Sequence, residues 1–229
     1  MKTHEIAKNF AKLESHEKII RNEWERSGLL TKIVDVIEEE EEDVDVFVDI
    51  GANTGVVTVL ISEALEPSMI FAFEPLKENV IRLKQNVEKN NFKSELKIIN
   101  KAVYYGKTET MAYSLGDGNT GGLFLEDVGR EHAGRYKKSL SPDDIIFELT
   151  TLEAELGEVQ VDLLKMDVEG SEWNIVENSK FLKKNVKFMV LEYHWKEEFD
   201  AIDFVSQHLP NFMLLDKVRT NLILKNMEK

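Results

Sequence analysis

The chain has 229 residues, 42% of them apolar and 31% charged, with a formal net charge of -14. That length and composition suit one soluble α/β domain with a full core and exclude a disordered polyelectrolyte. An acidic surface repels phosphate backbones and anionic lipid, so neither nucleic acid nor membrane insertion is expected, and the absence of cysteine removes disulfides, thiolate metal sites and a cysteine nucleophile.

Residues 3–37 place Ile6, Phe10, Leu13, Ile19, Ile20, Trp24, Leu29, Leu30, Ile33 and Val34 at steps of mostly three and four, which predicts two helices broken near Ser27-Gly28. The first residues alternate charged and apolar side chains without the uncharged run of a signal peptide or membrane span. A cytoplasmic location is the expectation. Glu38 to Asp43 is a like-charge block that reads as a solvated connection. Residues 1–43 are thus an N-terminal helical extension, on the cap or substrate side, and 44–229 are the main domain.

From Asp45 the hydrophobic period switches repeatedly. "DVFVDI" is a short buried strand, "TGVVTVLISEAL" a helix, "MIFAFEP" a second strand, "LKENVIRLKQNVEKNN" a second helix and "ELKIINKAV" a third strand. Such alternation predicts a parallel sheet with right-handed crossovers. After Tyr104 the stretch "YGKTETMAYSLGDGNTGG" reads as a strand or hairpin entering a glycine-rich loop, and residues 123–145 carry mixed charge with a partial apolar pattern. Order returns with "FELTTLEAEL", the strand "VDLLKMD", a helix from Glu172 to Phe181, the strand "VKFMVLEY" and a helix over 196–208. "NFMLLDKVRTNLILKN" ends the chain as a hairpin.

Ligands of open parallel sheets sit at the carboxyl ends of the strands. The first strand ends at Asp49-Ile50-Gly51, and the loop "GANTG", with Gly51 and Gly55, opens a helix. The second strand ends at Glu74, whose carboxylate can accept from both vicinal hydroxyls of a ribose. Either feature alone is an ordinary turn or helix-start acid; together they point to an adenosine site. A dinucleotide fingerprint is absent, because Asn53 stands at the middle glycine position and Val56 and Val57 follow Gly55. A phosphate-binding G-x-x-x-x-G-K-S/T loop is absent as well, so a cofactor with adenosine and no phosphate fits better.

"VDIGANTG", "FAFEP" and "LLKMDVEGSE", with "GNTGG" and "TTLEAEL" in order between them, resemble the FkbM family of S-adenosylmethionine-dependent methyltransferases over roughly residues 44–195. The resemblance implies a Rossmann-like class I methyltransferase sandwich. Its mostly parallel seven-stranded sheet would end in the C-terminal antiparallel hairpin, with helices on both faces. It also implies S-adenosylmethionine as cofactor, S-adenosylhomocysteine as product, and O-methylation of a hydroxyl on a small molecule, sugar or lipid-linked acceptor by a monomer or homodimer. Carried over, Asp49, Gly51, Asn53 and Gly55 face the methionine part and the ribose, and Glu74 holds the ribose hydroxyls. Asn100 and the Ala102 N–H face adenine, and Asp167 stands where the methyl group meets the acceptor.

Transfer to a hydroxyl requires a base near the line of attack, and Asp167, Glu192 and His194 are the candidates, the last two sharing one side of the pleat. Lys165, inside "DLLKMD", needs a carboxylate partner such as Asp167 if buried. Glu169 and Glu172 follow at the mouth of the next helix, where acids favour the dipole, and Ser171 and Glu172 read mainly as helix-start residues. Asp167 and Glu192 offer two hard oxygens without a third ligand, so no metal is expected. The alternatives are an NAD-dependent Rossmann-type oxidoreductase or epimerase and a non-catalytic adenosine-binding module.

Overall fold

The computed structural model describes residues 21, 24, 26–90, 92–106, 112–113, 124–125, 148–194 and 198–229. The expectations for the first helix before Arg21, the "GDGNTGG" loop and residues 126–145 lie outside these. A seven-stranded sheet organises the molecule, built from β1 (Val46–Ile50), β2 (Met69–Phe73), β3 (Glu95–Ile99), β8 (Val161–Met166), β9 (Val186–Glu192), β10 (Phe212–Val218) and β11 (Asn221–Asn226). Their spatial order is β10-β11-β9-β8-β1-β2-β3. The first three strands, β8 and β9 run parallel, while β11 lies antiparallel between β9 and β10. The hairpin read from the C-terminal sequence therefore completes the sheet. Its β10 arm shifts register between Leu214 and Asp216. Two short pairs stand apart, β4 (Ala102–Val103) with β7 (Leu149–Thr150) and β5 (Ala112–Tyr113) with β6 (Phe124–Leu125).

The alternation along each strand sorts its side chains into two cores. Phe47, Leu163, Phe188, Val190 and Ile223 face α1 (Leu29–Glu39) and α2 (Val56–Leu65), whereas Val48, Leu164, Met189, Leu191 and Leu224 face the opposite layer. That layer holds α4 (Leu152–Leu156), α5 (Glu172–Asn178), α6 (Lys180–Asn185) and α7 (Glu198–His208). Helix α3 (Lys77–Lys89) sets Leu83 against Ala72 of β2. Helix α1 starts at Gly28, whose φ of 75° breaks the helical residues ending at Ser27. Its Leu30, Ile33 and Ile37 share a core with Phe47 of β1, so this part of the residue 1–43 segment packs directly on the sheet. Among the described residues no helix is long and apolar enough to cross a membrane.

Three local readings change, each for a long-range reason. The segment "ELKIINKAV" is two strands, because Asn100 Nδ2 donates to the carbonyls of Glu74 and Pro75, each at 2.8 Å, and turns the chain toward β7. The helix expected over 172–181 ends at Asn178 and a second begins after Ser179, whose Oγ accepts from Leu182 N–H at 3.3 Å. Glu153 Oε1 caps the same start, accepting from the N–H groups of Lys180 and Phe181 at 2.9 Å. The acidic block is more than a solvated connection: Glu40 pairs with Lys225 of β11 and Glu42 with Lys187 of β9, fastening the end of α1 to the sheet.

Candidate active site

The strand order reverses between β1 and β8, and the loops leaving these two strands meet at the carboxyl edge, where open parallel sheets of this kind hold their ligands in a crevice. Gly51 and Ala52 both donate to the Phe73 carbonyl at 3.0 and 2.9 Å, and Asp167 N–H donates to Ile50 O at 3.1 Å. The loop between β1 and α2 is thereby clamped from both sides. Gly51 has φ 79°, and a Cβ there would lie 1.8 Å from the Asp167 carbonyl oxygen, so the two main chains approach more closely than any side chain permits. Asn53 takes φ 51° and Gly55 φ 78°, the latter at the start of α2. Asn86 Nδ2 holds the Thr54 carbonyl at 2.8 Å, while Asn53 Oδ1 and Thr54 Oγ1 are buried without a hydrogen-bond partner.

Glu74, at the end of β2, reaches into this loop. Its Oε2 accepts from Asn53 N–H at 2.9 Å, and its Oε1 accepts from Leu76 N–H at 2.9 Å and Asn79 Nδ2 at 3.1 Å. Burial pushes the carboxyl up from 4.5 to about 7, against the pull of these three donors and of Lys165. Folding thus favours its protonated form. The resulting stabilisation is full below pH 4.5 and lost as pH rises through 7. Wild type should lose roughly 2–3 kcal/mol relative to Glu74→Ala between pH 5 and pH 8, read from denaturant midpoints. A pH-independent difference between the two proteins would refute the burial effect.

Under the loop, Lys165 of β8 is 4% exposed yet charged. Its Nζ donates to the Gly51 carbonyl at 2.9 Å and lies 3.4 Å from Asp49 Oδ1 and 3.3 Å from Asp167 Oδ2. Burial works against the ammonium, but Asp167 and Asp49 outweigh it and raise its pKa. Asp49, fully buried, also accepts from Thr58 Oγ1 of α2 at 2.6 Å. The partner expected for Lys165 is therefore shared between two strand ends, and the pair braces the loop.

An acidic cluster forms the other wall. His194 Nδ1 lies 2.8 Å from Glu172 Oε1, which also accepts from Val168 N–H at 3.0 Å, and His194 Nε2 lies 3.7 Å from Glu169 Oε2. Burial would lower the imidazole, but the Glu172 hydrogen bond and the charges of Glu172, Asp167 and Glu169 hold it at about 10, so it is an imidazolium at neutral pH. Glu169 is pushed up to about 8 by burial and by Asp167, Glu172 and Glu192. Burial and the neighbouring Asp167 bring Glu192, which accepts from Thr220 Oγ1 at 3.1 Å, to about 7.

Of the residues singled out from the sequence, Asp49, Gly51 and Asp167 meet around Lys165, and Asn53 meets Glu74. Glu192 ends β9 and His194 follows it, both within the field of Asp167. Two donors are otherwise engaged: the Asn100 amide holds the Glu74–Pro75 turn, and Ala102 N–H donates to Glu148 O at 2.9 Å in the pairing of β4 with β7. Sequence reasoning missed the weight of Glu172, which it read as a helix-start acid, and gave Glu169 no role beyond its place at the helix mouth. Glu169 adopts φ 54°, a left-handed conformation that a glutamate takes at a cost.

The sequence matches the methyltransferase FkbM domain over residues 49–224. None of the curated proteins gives a significant match. Among solved structures the chain is similar to Sp1610 of Streptococcus pneumoniae, assigned as a tRNA (m1A22) methyltransferase and crystallised with S-adenosyl-L-methionine. The TM-score is 0.51 at 13% identity, over 88% of this chain and 72% of that one. It is also similar to the ribosomal protein L11 methylase of Lactobacillus delbrueckii subsp. bulgaricus, with a TM-score of 0.51 at 11% identity, over 88% and 78% of the two chains. At such identities the likeness is one of fold.

Proposed function

The chain belongs to the FkbM family of S-adenosylmethionine-dependent methyltransferases, and from that premise we propose that it methylates a hydroxyl oxygen on a small-molecule, sugar or lipid-linked acceptor. The observation that carries this reading is the bond from Asn53 N–H to Glu74. It joins the glycine loop and the strand-end acid into one adenosine-binding wall at the strand-order reversal. The donor set fits the cofactor: Glu74 supplies a carboxylate for the ribose hydroxyls, and Asn53 Oδ1 is an unpartnered acceptor beside it. Gly51 and Gly55 leave the loop main chain open to the methionine part. When bound, the cofactor supplies a methyl group on a sulfonium.

The chain's own residues then position the acceptor and receive its proton. Asp167 is tied to Lys165, and His194 spends Nδ1 on Glu172, which leaves Glu192, bonded through one oxygen to Thr220, as the base. The rest of the rate comes from holding the hydroxyl in line with the methyl carbon. Incubation with methyl-labelled S-adenosylmethionine and fractionated cell extract should place alkali-stable label in low-mass material, as expected of a methyl ether. Glu192→Gln should lower that labelling by on the order of a hundredfold. Label found in RNA or protein instead would overturn the acceptor class, and full activity of Glu192→Gln would overturn the base.

A further inference from the structure

Glu172 has a completely buried side chain, and one of its oxygens is unsatisfied. Oε1 serves Val168 N–H and faces His194 Nδ1, but Oε2 has no hydrogen-bond partner. A carboxylate buried only to brace a histidine would be expected to satisfy both oxygens, because an unpaired buried acceptor is costly. The surroundings supply more acceptors than donors: Asp167, Glu169 and Glu192 all bear on the same space, and Lys165 is already divided among Asp49, Asp167 and the Gly51 carbonyl. One oxygen of Asp167, one of Glu172 and one ring nitrogen of His194 lie within 4.8 Å of one another. Opposed ligands of a magnesium ion stand about 4.2 Å apart. Neighbouring ligands of the same octahedron stand about 3 Å apart, so the three atoms must draw together for a cation to bind, which the partly exposed side chains of Asp167 and His194 allow.

We propose that Asp167, Glu172 and His194 form a divalent-cation site of the magnesium–manganese class on the acceptor side of the crevice. The cation takes the place of the proton that His194 otherwise carries. Two carboxylate oxygens favour hard cations, and the imidazole makes manganese the better fit of the two. The Asp167 side chain is 30% exposed and that of His194 20%, so the set opens outward and leaves positions for water or an acceptor hydroxyl. A hydroxyl in such a position is acidified beside Glu192. The inference rests on the methyl-transfer reading for this chemistry, though not for the existence of the site. The sequence offered only Asp167 and Glu192; folding α5 against the end of β9 supplies the missing ligands.

The test is titration of chelator-stripped full-length protein with Mn²⁺, free ion being followed by electron paramagnetic resonance, with S-adenosylhomocysteine binding measured in parallel by calorimetry. Expected is one Mn²⁺ per chain, displaced by excess Mg²⁺, with affinity at least tenfold weaker in both Asp167→Asn and Glu172→Gln. Thermal melts report folding of each variant. If Glu172→Gln does not fold, the partly exposed Asp167→Asn decides. Absence of stoichiometric Mn²⁺ binding in wild type, or wild-type affinity in the folded variants, overturns the site. Mn²⁺ binding without S-adenosylhomocysteine binding upholds the site and overturns the methyl-transfer reading, and the converse overturns the site alone.

Discussion

Gly51→Ala should lower the melting temperature by at least about 6–12 °C and abolish cofactor binding. The added Cβ would stand 1.8 Å from the Asp167 carbonyl oxygen and 3.0 Å from its carbon, and both are backbone atoms that no rotamer change can move. Neither chain is free to yield. Gly51 N–H is held by Phe73 O, and Asp167 N–H by Ile50 O at the end of the β1–β8 ladder. Relief therefore requires parting the central strands, on top of the strain of a non-glycine residue at φ 79°. A cost above about 3 kcal/mol follows, and each kcal/mol moves the midpoint of a domain this size by roughly 2–4 °C. Gly157→Ala is the control: its φ of 59° imposes strain, but nothing lies within 4 Å of the new atom, and a loss nearer 1 kcal/mol is expected. Equal melts for the two variants would show that the close approach at Gly51 is not a constraint.

Lys165→Met should be almost as damaging, at about 3–5 kcal/mol. Methionine fills a similar volume, so the loss isolates the charge. Without the ammonium, Asp49, 0% exposed, keeps only Thr58 Oγ1 as donor, and the Gly51 carbonyl loses its 2.9 Å partner. Adding Asp49→Asn to Lys165→Met should recover more than half of the loss, since the stranded carboxylate dominates it. Denaturant unfolding of the two single variants and the double variant measures the coupling. Additive losses would mean that the buried pair does not brace the loop.

The architecture was legible because its signals are local. Short β-branched runs alternating with helical periods specify the parallel strands, and "NFMLLDKVRTNLILKN" specifies the hairpin. The place of β11 between β9 and β10 is invisible in that pattern. The glycine loop and Glu74 could be read together because both lie at strand ends within one strand-helix-strand unit. Features made by contacts distant in sequence were not legible. Asn100 bends the chain only because Glu74 and Pro75 lie across from it, and Glu153 splits a helix that begins 19 residues later at Glu172. Glu172 looked like an N-terminal helix acid because nothing in "VEGSE" announces that His194 will stand beside it. Its unsatisfied oxygen exists only in the folded chain.

The methyl-transfer reading stands or falls on adenosine binding through Glu74 beside the β1–β8 reversal. Calorimetric titration of wild type and Glu74→Ala with S-adenosylhomocysteine tests it most directly, with NAD as the competing ligand. Wild type should bind S-adenosylhomocysteine and not NAD, and Glu74→Ala should still unfold cooperatively but bind more than tenfold more weakly, the loss expected on removing two hydrogen bonds to buried carboxyl oxygens. Wild-type affinity in Glu74→Ala, or no binding of S-adenosylhomocysteine to the wild-type chain, would contradict it.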